Sequence, residues 1–389
     1  MTRSFRDSVR ASALSAFILL FAMGLLIGGL GSYYLNTRQI AVLNNQISDL
    51  QSQVAMINSL QNQTVINQTI TVYQNGTSLV DLYADVKDSV VLVQGTSSSG
   101  DVQGSGFIYN YSEMMVVLTN FHVVQDTTEL SVAFSDGNAY SAEVLGTDPY
   151  ADLAVLSVNA ADEVLKPLTI VSSSGLQVGD QVIAIGNPYG LVGSLTTGVV
   201  SALGRSEQAE FTSSFSIANM IQTSTPINPG NSGGPLLNAA GDVVGITNSV
   251  VSDSQGLGFA VPSNTILREI AALISTGSYN SHSYLGIHVT DMSYELAREQ
   301  NVNVTYGILI PPSQNGQIII DPNGPSSEKL QEGDVIIALN QSRIRNNDDM
   351  ASYLEEKTLP GNALVVSVVR DGSIKDITVI LGTRPSPNL

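Results

Sequence analysis

From about residue 81 to residue 262 the sequence is written in short β-branched runs broken by turn residues: "SVVLVQG", "GSGFIYN", "MMVVLTN", "LSVAFSDG", "YSAEVLG", "LAVLSV", "QVIAIGN", "GVVSALG" and "GDVVGITNSVV". Many short strands at close spacing predict an antiparallel sandwich or barrel. The stretch "PSNTILREIAALISTG" then predicts a helix, with Pro262 and Ser263 at its start and Gly277 at its end, closing this domain. A second mixed segment runs from about residue 283 to residue 384.

Ahead of the strands, "MTRSFRDSVR" carries Arg3, Arg6 and Arg10, and "ASALSAFILLFAMGLLIGGL" follows without a charge. That run is long enough to cross a bilayer as a helix. The arginines favour a cytoplasmic N-terminus, with the chain after Leu30 outside. A cleaved signal peptide is the rival reading; the length of the run and the lack of a clean A-x-A site favour an uncleaved anchor. Next, Ile40, Leu43, Ile47, Leu50, Val54 and Ile57 alternate spacings of three and four. This fits a short heptad seam, and a partly helical spacer fits equally. The pattern N-x-S/T at Asn62, Asn67, Asn75, Asn110, Asn303 and Asn340 fits an exported chain. The expected organisation is an anchor over 1–35, a stalk over 36–80, a first domain over 81–278 and a second over 283–385.

Composition removes several function classes. A formal charge of −18 argues against nucleic acid, which needs a basic face. The chain has no cysteine, which excludes disulfides, thiol catalysis and thiolate metal sites. No phosphate-binding loop pattern occurs.

What remains centres on "PINPGNSGGP", residues 226 to 235, where prolines and glycines bracket Ser232. A serine hydroxyl needs a base within hydrogen-bond reach, and the base needs an orienting group. Of the three histidines, His122 follows "MMVVLTN" at a strand end, where sites are commonly built. His282 and His288 flank "SYLGI" with no carboxylate cluster beside them, so no metal site is expected. In "GTDPYADLAVLSV", Asp148 reads as a turn residue before proline, whereas Asp152 directly precedes a strand and is the better orienting acid. Gly230 lets its own N–H and that of Ser232 converge on one point, as an acyl-transfer oxyanion requires. Gly233 and Gly234 are expected to leave room for a substrate backbone.

"TNFHVV", "DPYADLAVL", "AIGNPYG", "GVVSALGR", "PINPGNSGGPLLN" and "GLGFAVPSN" together resemble the HtrA (Deg) serine proteases over residues 81 to 384. The resemblance implies a mainly β fold: a trypsin-like protease domain of two β-barrels, followed by a PDZ domain. It implies His122 as general base, Asp152 as its orienter and Ser232 as nucleophile. Gly230, Asn231 and Ser232 would supply the oxyanion-hole backbone. A shallow apolar pocket lined by Ile227, Val250 and Val251 would follow, and no cofactor is implied. The family commonly carries an aspartate where this chain has Ser224. Tyr284, Leu285, Gly286 and Ile287 resemble the loop by which a PDZ domain takes a peptide C-terminus.

The resulting expectation is a membrane-anchored, ATP-independent endopeptidase, trimeric as the family implies, that cleaves unfolded extracytoplasmic proteins. The alternatives are a peptide-holding chaperone or scaffold, and a signal-activated protease with one membrane substrate.

Overall fold

The computed structural model describes residues 78–97, 100–187, 193–208, 215–228, 230–248, 257–313 and 316–387, together with Met23 and Ser48. The expected anchor, the heptad seam, Asn62, Asn67 and Asn75 lie outside the described residues, as do Val250 and Val251. Among the described residues no helix is long and apolar enough to cross a membrane. Asn110, Asn303 and Asn340 are exposed.

The short strands close into two six-stranded barrels. The first contains β1 (Val90–Ser97), β2 (Gly100–Tyr111), β3 (Met114–Thr119), β4 (Ser131–Ala133), β5 (Ala139–Asp148) and β6 (Leu153–Val158), in the order β1-β2-β3-β6-β5-β4. The second contains β7 (Gln181–Gly186), β8 (Ser194–Gln208), β9 (Ser216–Thr223), β10 (Pro235–Leu237), β11 (Val243–Asn248) and β12 (Gly258–Pro262), in the order β10-β11-β12-β9-β8-β7.

The unbroken apolar character of several strands has a direct cause. Successive side chains point to opposite faces, and here both faces are buried. On β3 and β6, Val117, Ala154 and Leu156 fill the first barrel, while Val116, Leu118, Leu153 and Val155 face outward into a second apolar layer. On β7, Val182 and Ala184 fill the second barrel, while Ile183 and Ile185 join that same layer. The layer therefore welds the barrels together. Helix α1 (Leu79–Val86), capped by Ser78, adds Leu82 and Val86 to it.

Two further helices fix the site and the closing edge. The short α2 (Phe121–Val124) follows β3 and carries His122. Helix α3 (Ser263–Thr276) spans the predicted stretch, entered from Pro262 and ended by Gly277 in the left-handed region, φ 79°. Its Ile266, Ile270 and Leu273, spaced by four and three, pack into the shared layer.

The C-terminal segment builds a smaller sheet. Here β13 (Ser283–Tyr284) pairs with the last strand, β20 (Gly382–Thr383). The main sheet runs β14 (Thr290–Asp291), β15 (Ile308–Leu309), β16 (Val335–Leu339), β18 (Ala363–Arg370) and β19 (Ser373–Ile380), with β17 (Ser342–Arg343) hairpinned onto β16. Helices α4 (Tyr294–Glu299) and α5 (Asn347–Lys357) accompany it. Polar contacts dock α5 on the second barrel: Asp348 accepts from the Ser206 amide at 3.0 Å, and Asn219 donates to Glu356 at 2.8 Å.

A buried ionic cluster joins the same parts. His282 Nε2 lies 2.7 Å from Asp148 Oδ2, and its Nδ1 lies 3.1 Å from Glu355 Oε2 of α5. Arg268 of α3 contacts both Glu269 and Glu355. The expectation that His282 lacks neighbouring carboxylates is therefore corrected. Folding brings Asp148, Glu269 and Glu355 to it from three places distant in sequence. His288 takes no part; its amide donates to Ile319.

Candidate active site

His122 and Asp152 are brought together at the mouth of the first barrel. The Asp152 carboxylate lies 2.7 Å from His122 Nδ1 and accepts the His122 backbone amide at 2.9 Å. A third donor, the side-chain amide of Asn248, reaches it from β11 at 2.7 Å. Asp152 is fully buried, so these donors replace the water it has lost. A carboxylate only accepts, which makes Nδ1 the protonated nitrogen and leaves Nε2 as the basic one. The turn after β5 holds Asp152 at φ 51°, an uncommon setting for a residue other than glycine. Its carbonyl accepts from the Asn120 side chain at 2.9 Å.

The loop bearing Ser232 is wedged between the barrels. Gly230, at φ 98°, allows a tight turn in which the Asn231 amide donates to the Asn228 carbonyl at 2.9 Å. The Asn231 amide is thus committed within the loop. From β2, Ser105 grips the loop twice: its amide donates to the Ser232 carbonyl at 2.7 Å, and its hydroxyl to the Gly230 carbonyl at 2.6 Å. From β11, Thr247 Oγ lies 2.6 Å from the Asn231 carbonyl, and the Thr247 carbonyl accepts the Gly233 amide.

The expected reason for Gly233 and Gly234 is corrected by this packing. A Cβ at Gly233 would lie 2.1 Å from the Ser105 carbonyl oxygen, and one at Gly234 would lie 2.3 Å from that of Ile185. The glycines admit the walls of the cleft rather than a substrate.

Ser105 and Asn248 thereby link the two halves of the site. Ser105 also accepts from Thr119 at the end of β3, two residues before the helix that carries His122. Asn248 joins Asp152 to the strand whose Thr247 holds the Ser232 loop.

The trypsin-like peptidase domain family matches residues 104–246, and the PDZ domain family matches residues 283–381. A "Probable periplasmic serine endoprotease DegP-like" from Chlamydia trachomatis is 37% identical over 288 residues. That alignment takes in 73% of this chain and 55% of the relative, so the chain spans about half the length of such curated relatives. The "Putative serine protease HhoA" of Synechocystis sp. is 35% identical over 279 residues, covering 71% of this chain and 70% of the relative. A solved structure described as "HtrA-type protease AlgW with tripeptide" superposes with a TM-score of 0.64 at 31% identity, covering 80% of this chain and 99% of that one. The chain belongs to the HtrA-type proteases.

In this HtrA-type chain the substitution at Ser224 has a local explanation. Ser224 closes the edge of β8, its hydroxyl accepting the Val199 amide at 3.0 Å and its own amide donating to the Val199 carbonyl. Ile227 is half-buried against the second barrel's core and lies beside Gly258 of β12.

The loop over Tyr284, Leu285, Gly286 and Ile287 opens the C-terminal domain. Gly286 sits at φ 77°, Leu285 is buried, and the Leu285 carbonyl accepts from Ser326 at 2.6 Å. Between this loop and α5 runs a groove of about 780 Å³, lined by Leu285, Ile287, Val289, Ala351 and Leu354.

The site residues that sequence reasoning missed are Ser105, Asn120, Thr247 and Asn248. Asn120 lay inside the quoted "TNFHVV" motif. The other three have no local sequence signal, because their role comes from strands that meet only in the folded chain.

Proposed function

We propose that this chain is a serine endopeptidase in which Ser232 attacks the scissile carbonyl, His122 is the base and acid, and Asp152 orients His122. The observation that carries this reading is the Asp152 carboxylate at 2.7 Å from His122 Nδ1, which presents Nε2 as proton acceptor. Nε2 takes the Ser232 proton as Oγ bonds to the carbonyl carbon. The proton then goes to the leaving amine as the C–N bond breaks, leaving an acyl-enzyme. Water reverses the sequence and frees the acid.

The developing oxyanion would be met by the amides of Gly230 and Ser232. With its amide given to Asn228, Asn231 would shape the hole rather than donate to it. One such donor is worth about 3 kcal/mol of barrier. We assign Ile227, with Val250 and Val251, to a shallow apolar pocket for small aliphatic side chains. The Tyr284–Ile287 loop would take peptide C-termini, a reading supported by the AlgW structures described with bound tripeptide and decapeptide.

Unfolded polypeptides outside the cytoplasm are the proposed substrates, in keeping with the relatives named periplasmic. The apolar run over residues 11–30 would anchor the chain, and three copies would assemble.

Covalent labelling of the full-length chain with a fluorophosphonate, followed by peptide mapping, tests the assignment. The reading expects one adduct, on Ser232, that is lost in His122→Ala. An adduct on another serine, or equal labelling of His122→Ala, rejects it.

A further inference from the structure

We propose that Asp148, Glu269 and His282 form a buried zinc site at the contact between the barrels and the C-terminal domain. One ligand atom from each residue falls within 4.8 Å of the others. The three residues are 1%, 0% and 4% exposed.

Glu269 gives the most direct indication. One of its oxygens accepts from Arg268 at 2.5 Å, while Oε2, fully buried, faces no hydrogen-bond donor. A carboxylate oxygen of Asp148 lies within 4.8 Å of a Glu269 carboxylate oxygen. Two carboxylates that meet away from water must share either a proton or a cation. The wider cluster sets three carboxylates, Asp148, Glu269 and Glu355, against two permanent cations, Arg268 and the half-buried Arg384. The charge left over calls for one more cation at His282, a proton on the imidazole or a metal ion bound to it.

His282 is oriented as a metal-binding histidine is. Its Nδ1 points to Glu355 at 3.1 Å, and its Nε2 points inward, 2.7 Å from Asp148. An outer carboxylate on one ring nitrogen fixes the tautomer and directs the other nitrogen to the ion. The rings of Tyr150 and Tyr279 pack edge-on against the imidazole at 5.2 and 4.9 Å, which keeps the pocket dry.

One imidazole and two carboxylates suit zinc, whereas calcium takes six to eight oxygens and magnesium retains several waters. Three protein ligands leave the fourth tetrahedral position to a water. Seating the ion requires ligand atoms roughly 3.4 Å apart at metal–ligand distances of about 2.1 Å. The His282–Asp148 pair must therefore open slightly, and Glu269 must close inward. The ion would join the end of β5, helix α3 and the segment before β13, and reach α5 through Glu355. None of this depends on the proteolytic reading.

The test is calorimetric titration of zinc chloride into the full-length chain after chelator treatment. One ion per chain is expected, bound at least about 100-fold more weakly by His282→Gln and about 10- to 100-fold more weakly by Glu355→Gln. Circular dichroism establishes that each variant is folded, and Glu355→Gln, which removes no ligand, serves if His282→Gln is not. X-ray absorption of the parent should show one imidazole nitrogen with oxygens at about 2.0–2.2 Å. No saturable binding, affinity unchanged in both variants, or an absorption spectrum without imidazole overturns the proposal. So does a parent whose unfolding midpoint ignores zinc while Glu269→Gln raises it, because the carboxylates then share a proton instead.

Discussion

Asn248 donates its side-chain amide to the Asp152 carboxylate across 2.7 Å, carrying the last residue of β11 in the second barrel to the acid at the mouth of the first. Both residues are buried. The bond makes the orientation of His122 depend on how the barrels meet. Replacing Asn248 by Ala removes one of the donors to a buried charge, an interaction worth about 1.5–3 kcal/mol. We predict labelling of Ser232 slowed by about 10- to 100-fold, with the fold retained by circular dichroism. An unchanged rate shows that Asn248 does not help to position the acid.

Gly233 sits at φ 85°, against the Ser105 carbonyl and the Thr119 hydroxyl. In Gly233→Ala the new methyl has no space in the wedge and meets backbone, which cannot rotate away. Urea unfolding should show a loss of about 2–4 kcal/mol, with Ser232 unreactive toward the probe. Parent-like stability means the loop is not clamped as described.

Asp88 holds α1 to the first barrel, accepting from Lys166 at 2.7 Å and Ser135 at 2.8 Å, with Lys87 at 2.6 Å. The hydrogen bonds from Lys166, Lys87 and Ser135 hold its carboxyl well below the ordinary value of 3.8. Folding therefore favours the ionised form. The stabilisation is complete above the unfolded value and is lost as pH falls below it. The unfolding midpoints of parent and Asp88→Asn should differ most at neutral pH, begin to converge once pH drops below 3.8, and meet only below the depressed folded value. A gap that does not narrow as pH falls below 3.8 contradicts the assignment.

Ile227 narrows the proposed specificity pocket from the side of β12. Trimming it to Ala should admit larger apolar side chains, shifting the ratio of cleavage rates for Leu or Phe over Val by about 10- to 200-fold. Mass-spectrometric mapping of cut sites in an unfolded protein reads this directly, and an unaltered site preference removes Ile227 from the pocket.

The antiparallel strands were legible because they carry their own signal, short β-branched runs separated by Gly, Asn and Asp; that they close into two barrels, not a sandwich, was legible only through the family resemblance. The helix ending at Gly277 was legible for the same reason, since its cap and apolar spacing are local. His122, Asp152 and Ser232 stood out because each adjoins a strand end or a glycine-rich turn. Asn248 and Ser105 did not. Each looks like an ordinary strand residue, and only barrel closure carries them to the cleft. The surroundings of His282 were misread for a related reason. Asp148 resembled a turn residue and does serve as one, accepting the Tyr150 amide at 2.9 Å, yet its other oxygen faces a histidine 134 positions away.

Proteolysis of a fluorescently labelled unfolded protein by the parent chain and by Ser232→Ala, side by side, tests the central claim most directly. The account predicts fragments from the parent and none from the variant, with both proteins equally folded. Equal cleavage by the two would place the chemistry elsewhere. Absence of cleavage by either, including after addition of C-terminal peptides that fill the groove beside Tyr284–Ile287, would contradict the enzymatic reading and favour a protein that holds peptides without cutting them.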